Sequence, residues 1–124
     1  MKRKRIFVSF DFDNDKSLKD LFIGQSRNHE TPFEVCDHSL KEEAPEPRWE
    51  KRAEEKIRVC DQVIVLLGPD THRAPGVLKE VRIARQLEKK IVQVIGYREK
   101  KYKRVPGAGV LYHWTWENLK RILS

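Results

Sequence analysis

Gln62-Val63-Ile64-Val65-Leu66-Leu67, closed by Gly68-Pro69-Asp70, is the most apolar run of the chain and the segment from which its fold is read. A short run of β-branched residues and leucines, bounded by a turn, predicts a strand buried on both faces. Such a strand belongs in the middle of a sheet. Downstream, Pro75 suits a first helical position, where its missing N–H costs nothing. Val77, Val81, Ile83, Ala84 and Leu87 then recur at helical spacing, giving a helix out to about Lys89. Ile91–Ile95 reads as another strand, stopped by Gly96. A basic loop with Pro106, Gly107 and Gly109 leads to a brief strand at Val110–Tyr112, and Thr115 caps a last helix carrying Trp116, Leu119, Ile122 and Leu123.

Upstream, Arg5–Phe10 is a strand of β-formers, ended by Asp11-Phe12-Asp13-Asn14-Asp15, which offers helix caps. Leu18, Leu21, Phe22 and Gln25 fall on one face of a helix ending near Asn28. Phe33–Cys36 is a shorter strand, Asp37 to Glu46 a polar loop, and Pro47 starts a helix with Trp49, Ala53 and Ile57 one above another. Alternating strands and helices, with strands that are continuous apolar runs, predict a parallel sheet covered on both faces. Periodicity alone leaves the strand order open. Right-handed crossovers restrict it, and we expect an α/β sandwich with the flavodoxin-like order 2-1-3-4-5.

The 124 residues fit one domain spanning 1–124. A net charge of +7 favours anionic partners: a nucleotide, a nucleic acid or an acidic protein face. The charge gathers at Lys2–Arg5 and Arg98–Arg104, which read as solvated ends and loops. Tyr97 and Tyr102 are too few aromatics among the lysines to argue base stacking, so nucleic acid is set aside. The apolar run Ile6–Phe10 is too short for a signal-peptide core or a membrane span, and we expect a cytoplasmic protein. Cys36 and Cys60 are then expected as reduced, partly buried thiols, and the cysteines and histidines show no spacing for a metal site.

On a wheel of about 100° per residue, Glu80 falls inside the apolar arc of its helix. A carboxylate there is costly unless something pairs with it or uses it. Arg82 and Arg85, the nearby cations, project well away from it. In an open parallel sheet, ligands sit beyond the carboxyl ends of the strands where the order reverses, here between the first and third strands. Phe10-Asp11-Phe12-Asp13, Asp37-His38-Ser39 and Gly68-Pro69-Asp70-Thr71-His72 follow strand ends at that place. Asp11, Asp13 and Asp37 read more readily as helix caps or loop acids than as ligands, His72 as an ordinary loop histidine, and Ser9 as a partner for a backbone group. Glu80 fits no such ordinary role.

These residues carry a resemblance. Ile6-Phe7-Val8-Ser9-Phe10 resembles the opening strand of a TIR domain, Phe33 to Leu40 its second strand and mobile loop, and Cys60–Leu67 its third strand. Ala74 to Glu80 matches the register of the helix motif that ends in the TIR catalytic glutamate. More narrowly, Ser9–Asp13, Gly24-Gln25, Cys60-Asp61 and Thr71-His72 resemble the stand-alone TIR-like proteins that include the signal-producing subunit of the Thoeris anti-phage system. The resemblance implies cleavage of NAD, as substrate rather than cofactor, at its nicotinamide–ribose bond, giving ADP-ribose or a cyclised or conjugated form of it. It implies Glu80 as the catalytic group, with Ser9, Phe10, Asp11, Asp37, Ser39 and His72 binding substrate, no metal, and a lid formed by the loop from Asp37 to Glu46. It further implies self-association in TIR–TIR assemblies. Ala74 and Gly76 depart from the motif, which has serine and a bulky residue at those places.

Three other functions share this pattern. A non-catalytic TIR-type module would use the same fold to assemble with partners. A receiver-like domain needs an aspartate ending the third strand and a lysine ending the fifth, where this chain has Leu66-Leu67-Gly68 and Tyr112-His113-Trp114. A nucleoside deoxyribosyl transferase would keep the chemistry and change the substrate.

Overall fold

Every residue of β3 (Gln62–Leu67) is buried, and it pairs in parallel with β1 (Lys4–Ser9) on one side and β4 (Lys90–Ile95) on the other. The computed structural model describes residues 4–12, 14–26, 33–39, 46–95, 103–115, 117–118 and 121. β2 (Phe33–His38) flanks β1 and β5 (Val110–His113) flanks β4, also in parallel, so the order is β2-β1-β3-β4-β5. The expected flavodoxin-like α/β architecture is the observed one. α1 (Lys16–Ser26), α2 (Glu46–Arg58) and α3 (Pro75–Gln86) cover the sheet.

Strand alternation sorts the side chains between two layers. Ile6, Val8, Phe10, Ile64, Leu66, Val92 and Val94 face α1, where Leu18 and Phe22 meet them. Phe7 and Val63 face the other way and pack with Trp49, Ala53 and Ile57 of α2 and Ile83 and Ala84 of α3. Val65 and Leu67 continue that layer against Val77 and Val81. No helix among the described residues is long and apolar enough to cross a membrane.

Several boundaries differ from the sequence reading. Leu21 is 68% exposed, not on the core face. The covered arc of α1 runs from Leu18 through Phe22 to the partly buried Lys19 and Ile23, and Leu21 lies on its far side. α3 stops at Gln86, short of Lys89, because Glu88 adopts φ 57. The Glu88 amide donates to Arg85 O (3.0 Å) and the Lys89 amide to Ala84 O (2.9 Å), the paired bonds of a Schellman stop. β2 runs on through Asp37 and His38, which are strand residues rather than the start of a loop. Of the lid expected from Asp37 to Glu46, residues 40–45 lie outside the described residues. Asp13, much of the basic stretch 98–104 and most of the last helix do as well. Thr115 Oγ1 accepts the Asn118 amide (3.1 Å), the bond of a helix cap.

Candidate functional site

The register of β2 against β1 decides which side chains meet at the mouth of the sheet. Ile6 pairs with Val35, but Phe7 pairs with Asp37, so Cys36 is the extra residue of a bulge. Pairing by two means that one inserted residue exchanges the faces of everything beyond it. His38 is thereby turned to the α1 side, where its ring centroid lies 6.0 Å from that of Phe10. Ser39 is turned to the α3 side, alongside Ser9, and its amide donates to Val8 O (2.9 Å).

Glu80 reaches these serines from the second turn of α3. It is 1% exposed, and the Ser9 hydroxyl (2.7 Å) and the Ser39 hydroxyl (2.5 Å) both donate to its Oε1. Ser39 Oγ also accepts the Phe10 amide (3.0 Å). A chain of donors thus runs from the end of β1 through Ser39 to the carboxylate. Hydrogen bonds to an ionised acceptor are worth about 1.5–3 kcal/mol, which offsets part of the cost of burying Glu80. Arg82 and Arg85 turn elsewhere: Arg82 lies 3.6 Å from Glu50, and Arg85 lies against Gly107.

The other candidate residues have separate surroundings. Phe10 is 1% exposed with its ring in the α1 layer, so the part of it that meets the serines is its backbone amide. Asp11 opens the turn into α1, accepting Asn14 Nδ2 (2.7 Å) on its carboxylate and the Asp15 amide (2.8 Å) on its carbonyl. Asp37 pairs with Lys56 Nζ at 2.6 Å and, with Arg5 and Cys36, borders a groove beside α2. His72 lies in the 3-10 turn Thr71–Arg73 that precedes α3, and its buried Nδ1 has no hydrogen-bond partner among the described residues.

The sequence reading placed Asp15 among helix caps and Thr71 in a strand-end loop, and singled out neither as a site residue. Asp15 is 2% exposed at the start of α1, and Thr71 is fully buried. Thr71 Oγ1 accepts the Gly68 amide (2.7 Å) and lies 3.3 Å from Asp15 Oδ2. This cluster ties the β1–α1 turn to the β3–α3 turn across the mouth. Asp15 looks like any helix cap in the sequence; the one signal that could have found it is Gly68, a glycine immediately after the central strand. No group of His, Cys, Asp or Glu among the described residues is arranged to hold a metal ion.

Residues 7–101 match the model of the family described as Thoeris protein ThsB, TIR-like domain. Among solved structures, the fold is similar to that of Clostridium botulinum CMP N-glycosidase, BcmB, with a TM-score of 0.59 and 21% identity, covering 96% of this chain and 98% of that one. It is also similar to a prokaryotic SEFIR domain, with a TM-score of 0.52 and 19% identity, covering 95% and 86% respectively. A search of curated proteins found no match.

Proposed function

This chain belongs to the Thoeris ThsB TIR-like family, and from that premise we propose that it cleaves NAD at the nicotinamide–ribose bond to make an ADP-ribose-derived signal for anti-phage defence. The observation that carries this reading is Glu80, buried at the mouth of the sheet with two serine hydroxyls on one carboxylate oxygen. The reaction asks for little more. Nicotinamide leaves from a cationic pyridinium and takes the bond's electron pair, so it needs no general acid. Positive charge develops on the ribose, as in glycoside hydrolysis. A fixed carboxylate in a water-poor site stabilises that charge strongly. Ser9 and Ser39 hold Glu80 in place, and on this reading its carboxylate engages the ribose hydroxyls of bound NAD. Water captures the sugar cation and loses a proton to give ADP-ribose; an internal or added nucleophile gives a cyclised or conjugated product. On this reading the protein works in the cytoplasm and self-associates.

The test is incubation of concentrated protein with NAD, with every product identified by mass. Loss of turnover is expected for Glu80→Gln in protein that keeps its native circular dichroism and melting transition. Unchanged turnover removes Glu80 from the mechanism. No NAD loss at any protein concentration favours a non-catalytic interaction module.

A second reading draws on the likeness to a CMP N-glycosidase: the same class of bond is cut in a nucleoside monophosphate. Parallel incubation with CMP separates the two, since only this reading expects free cytosine.

A further inference from the structure

Lys16 opens α1 and Lys19 stands one turn further on, so the two share a helix face. The Lys16 ammonium lies 4.7 Å from the centre of the Phe12 ring, and the Lys19 ammonium 5.8 Å from that of Phe10. Those two rings stack at 5.7 Å, and the half-buried His38 ring reaches Phe10 from the end of β2. Two cations and an imidazole thus gather on the α1 side of the strand ends that hold Glu80 on the other. The other described acids of this neighbourhood are engaged elsewhere: Asp11 accepts Asn14, the buried Asp15 meets Thr71, and Asp37 pairs with Lys56. Asp20 is the exception, an exposed carboxylate 2.7 Å from Lys19. The Lys19 hydrogen bond holds its carboxyl below the ordinary value, and against the opposing effect of desolvation the charges of Lys19, His38 and Lys16 add to the pull. One anion already sits in the field of all three.

We propose that Lys16 and Lys19, flanked by His38, bind the 5′-phosphate of the nucleotide whose ribosyl bond Glu80 cuts; the inference rests on the enzymatic reading above and extends it to the phosphate end of the substrate. A carboxylate that attracts a ribosyl cation also repels an anionic substrate. A nucleotide therefore needs countercharge beside the carboxylate rather than on it.

The strand ends supply that arrangement. His38 and Ser39 are consecutive, with Cα atoms about 3.8 Å apart. Ser39 holds Glu80, while His38 faces Phe10 and the lysines. Phe10 likewise gives its amide to Ser39 and its ring to Lys19. The negative and positive halves of the mouth back onto the same two strand ends. A nucleotide lying across them puts its sugar at Glu80 and its phosphate at the ammonium groups; a nucleoside satisfies one half only. A ring face covers one side of an ammonium, which has three N–H donors, so donors remain for phosphate oxygens. Both NAD and CMP carry this phosphate on the ribose.

The experiment titrates the isotope-labelled full chain with ribose 5-phosphate, ribose, ADP-ribose and adenosine, following amide shifts by NMR. None of these ligands carries nicotinamide or cytosine, so binding is read without the proposed turnover. Ribose 5-phosphate and ADP-ribose should bind several-fold more tightly than ribose and adenosine, shifting the amides of residues 16–20 and 38. Either order of the two phosphorylated ligands supports the site; ADP-ribose the tighter points to a dinucleotide, ribose 5-phosphate to a mononucleotide. The double variant Lys16→Gln, Lys19→Gln should lose the preference, and Lys51→Gln, exposed on α2, should keep it. Asp20→Asn should strengthen both phosphorylated ligands several-fold by removing the competing carboxylate, and it keeps the test decisive if the double variant fails to fold. Equal binding with and without phosphate, a preference that survives the double substitution, or an equal loss in Lys51→Gln overturns the proposal. So does unchanged or weaker binding in Asp20→Asn. If the phosphate preference holds while NAD and CMP both survive incubation, the catalytic reading fails by itself. If either is cleaved with the same KM by the parent chain and the double variant, this inference alone fails.

Discussion

Asp15 occupies the space that a side chain at position 68 would need: a Cβ built on Gly68 falls inside contact distance of the Asp15 carboxylate. The glycine is there for room, because its amide is already committed to Thr71 Oγ1. Gly68→Ala should cost about 1–3 kcal/mol, the range for forcing atoms into a filled interior. Urea unfolding measures it, and an unchanged midpoint would mean that the carboxylate has somewhere else to go.

Ser9 and Ser39 both bind Glu80, but their removal should not cost the same. Ser39→Ala takes away a donor to the carboxylate and also the acceptor of the Phe10 amide. A buried N–H left without a partner costs about 1–3 kcal/mol. Ser9→Ala removes the donor to Glu80, worth about 1.5–3 kcal/mol as a bond to a charged acceptor. Paired unfolding curves should rank Ser39→Ala below Ser9→Ala in stability; the reverse order would place the Phe10 amide elsewhere.

Glu88 stands at the left-handed position of the α3 stop, with φ 57. A residue with a Cβ is disfavoured there by about 1–2 kcal/mol, and glycine is not. Glu88→Gly should therefore raise the thermal midpoint, against the usual direction for a new glycine. A lower midpoint would show that the Glu88 side chain contributes more than its backbone costs.

These cases also show where the sequence was silent. The end of α3 was misread because the residue that stops it is a glutamate, and glycine is the signal a reader looks for. The paired serines could not be matched in advance, since one bulge residue turns Ser39 to the face of Ser9 and nothing in Val35-Cys36-Asp37 marks it. Glu80 was legible because a charged residue in an apolar arc contradicts its surroundings. The central strand was legible for the opposite reason, since the run Gln62–Leu67 agrees with its surroundings, whereas the sheet order rested on crossover handedness and not on the runs themselves.

Burial, followed by Cys36, raises the Cys60 thiol well above its ordinary value of 9.0. In the unfolded chain the thiol ionises near that value, whereas the native protein retains the proton. The native state then binds more protons than the unfolded state, so stability is full below about pH 9.0 and falls as the pH climbs beyond it. Denaturant midpoints of reduced protein should drop on the alkaline side, and less steeply in Cys60→Ala. Parallel curves for the two proteins would remove the thiol as the cause.

The two hydroxyls on Glu80 Oε1 bear on the economy of turnover as well as on shape. An oxygen already served by serines offers a neutral sugar diol an exchange of like for like, close to break-even. A ribosyl cation offers something no serine can imitate. On the proposed reading, the carboxylate therefore reserves its attraction for the moment of bond breaking, and NAD is held loosely before it is cut.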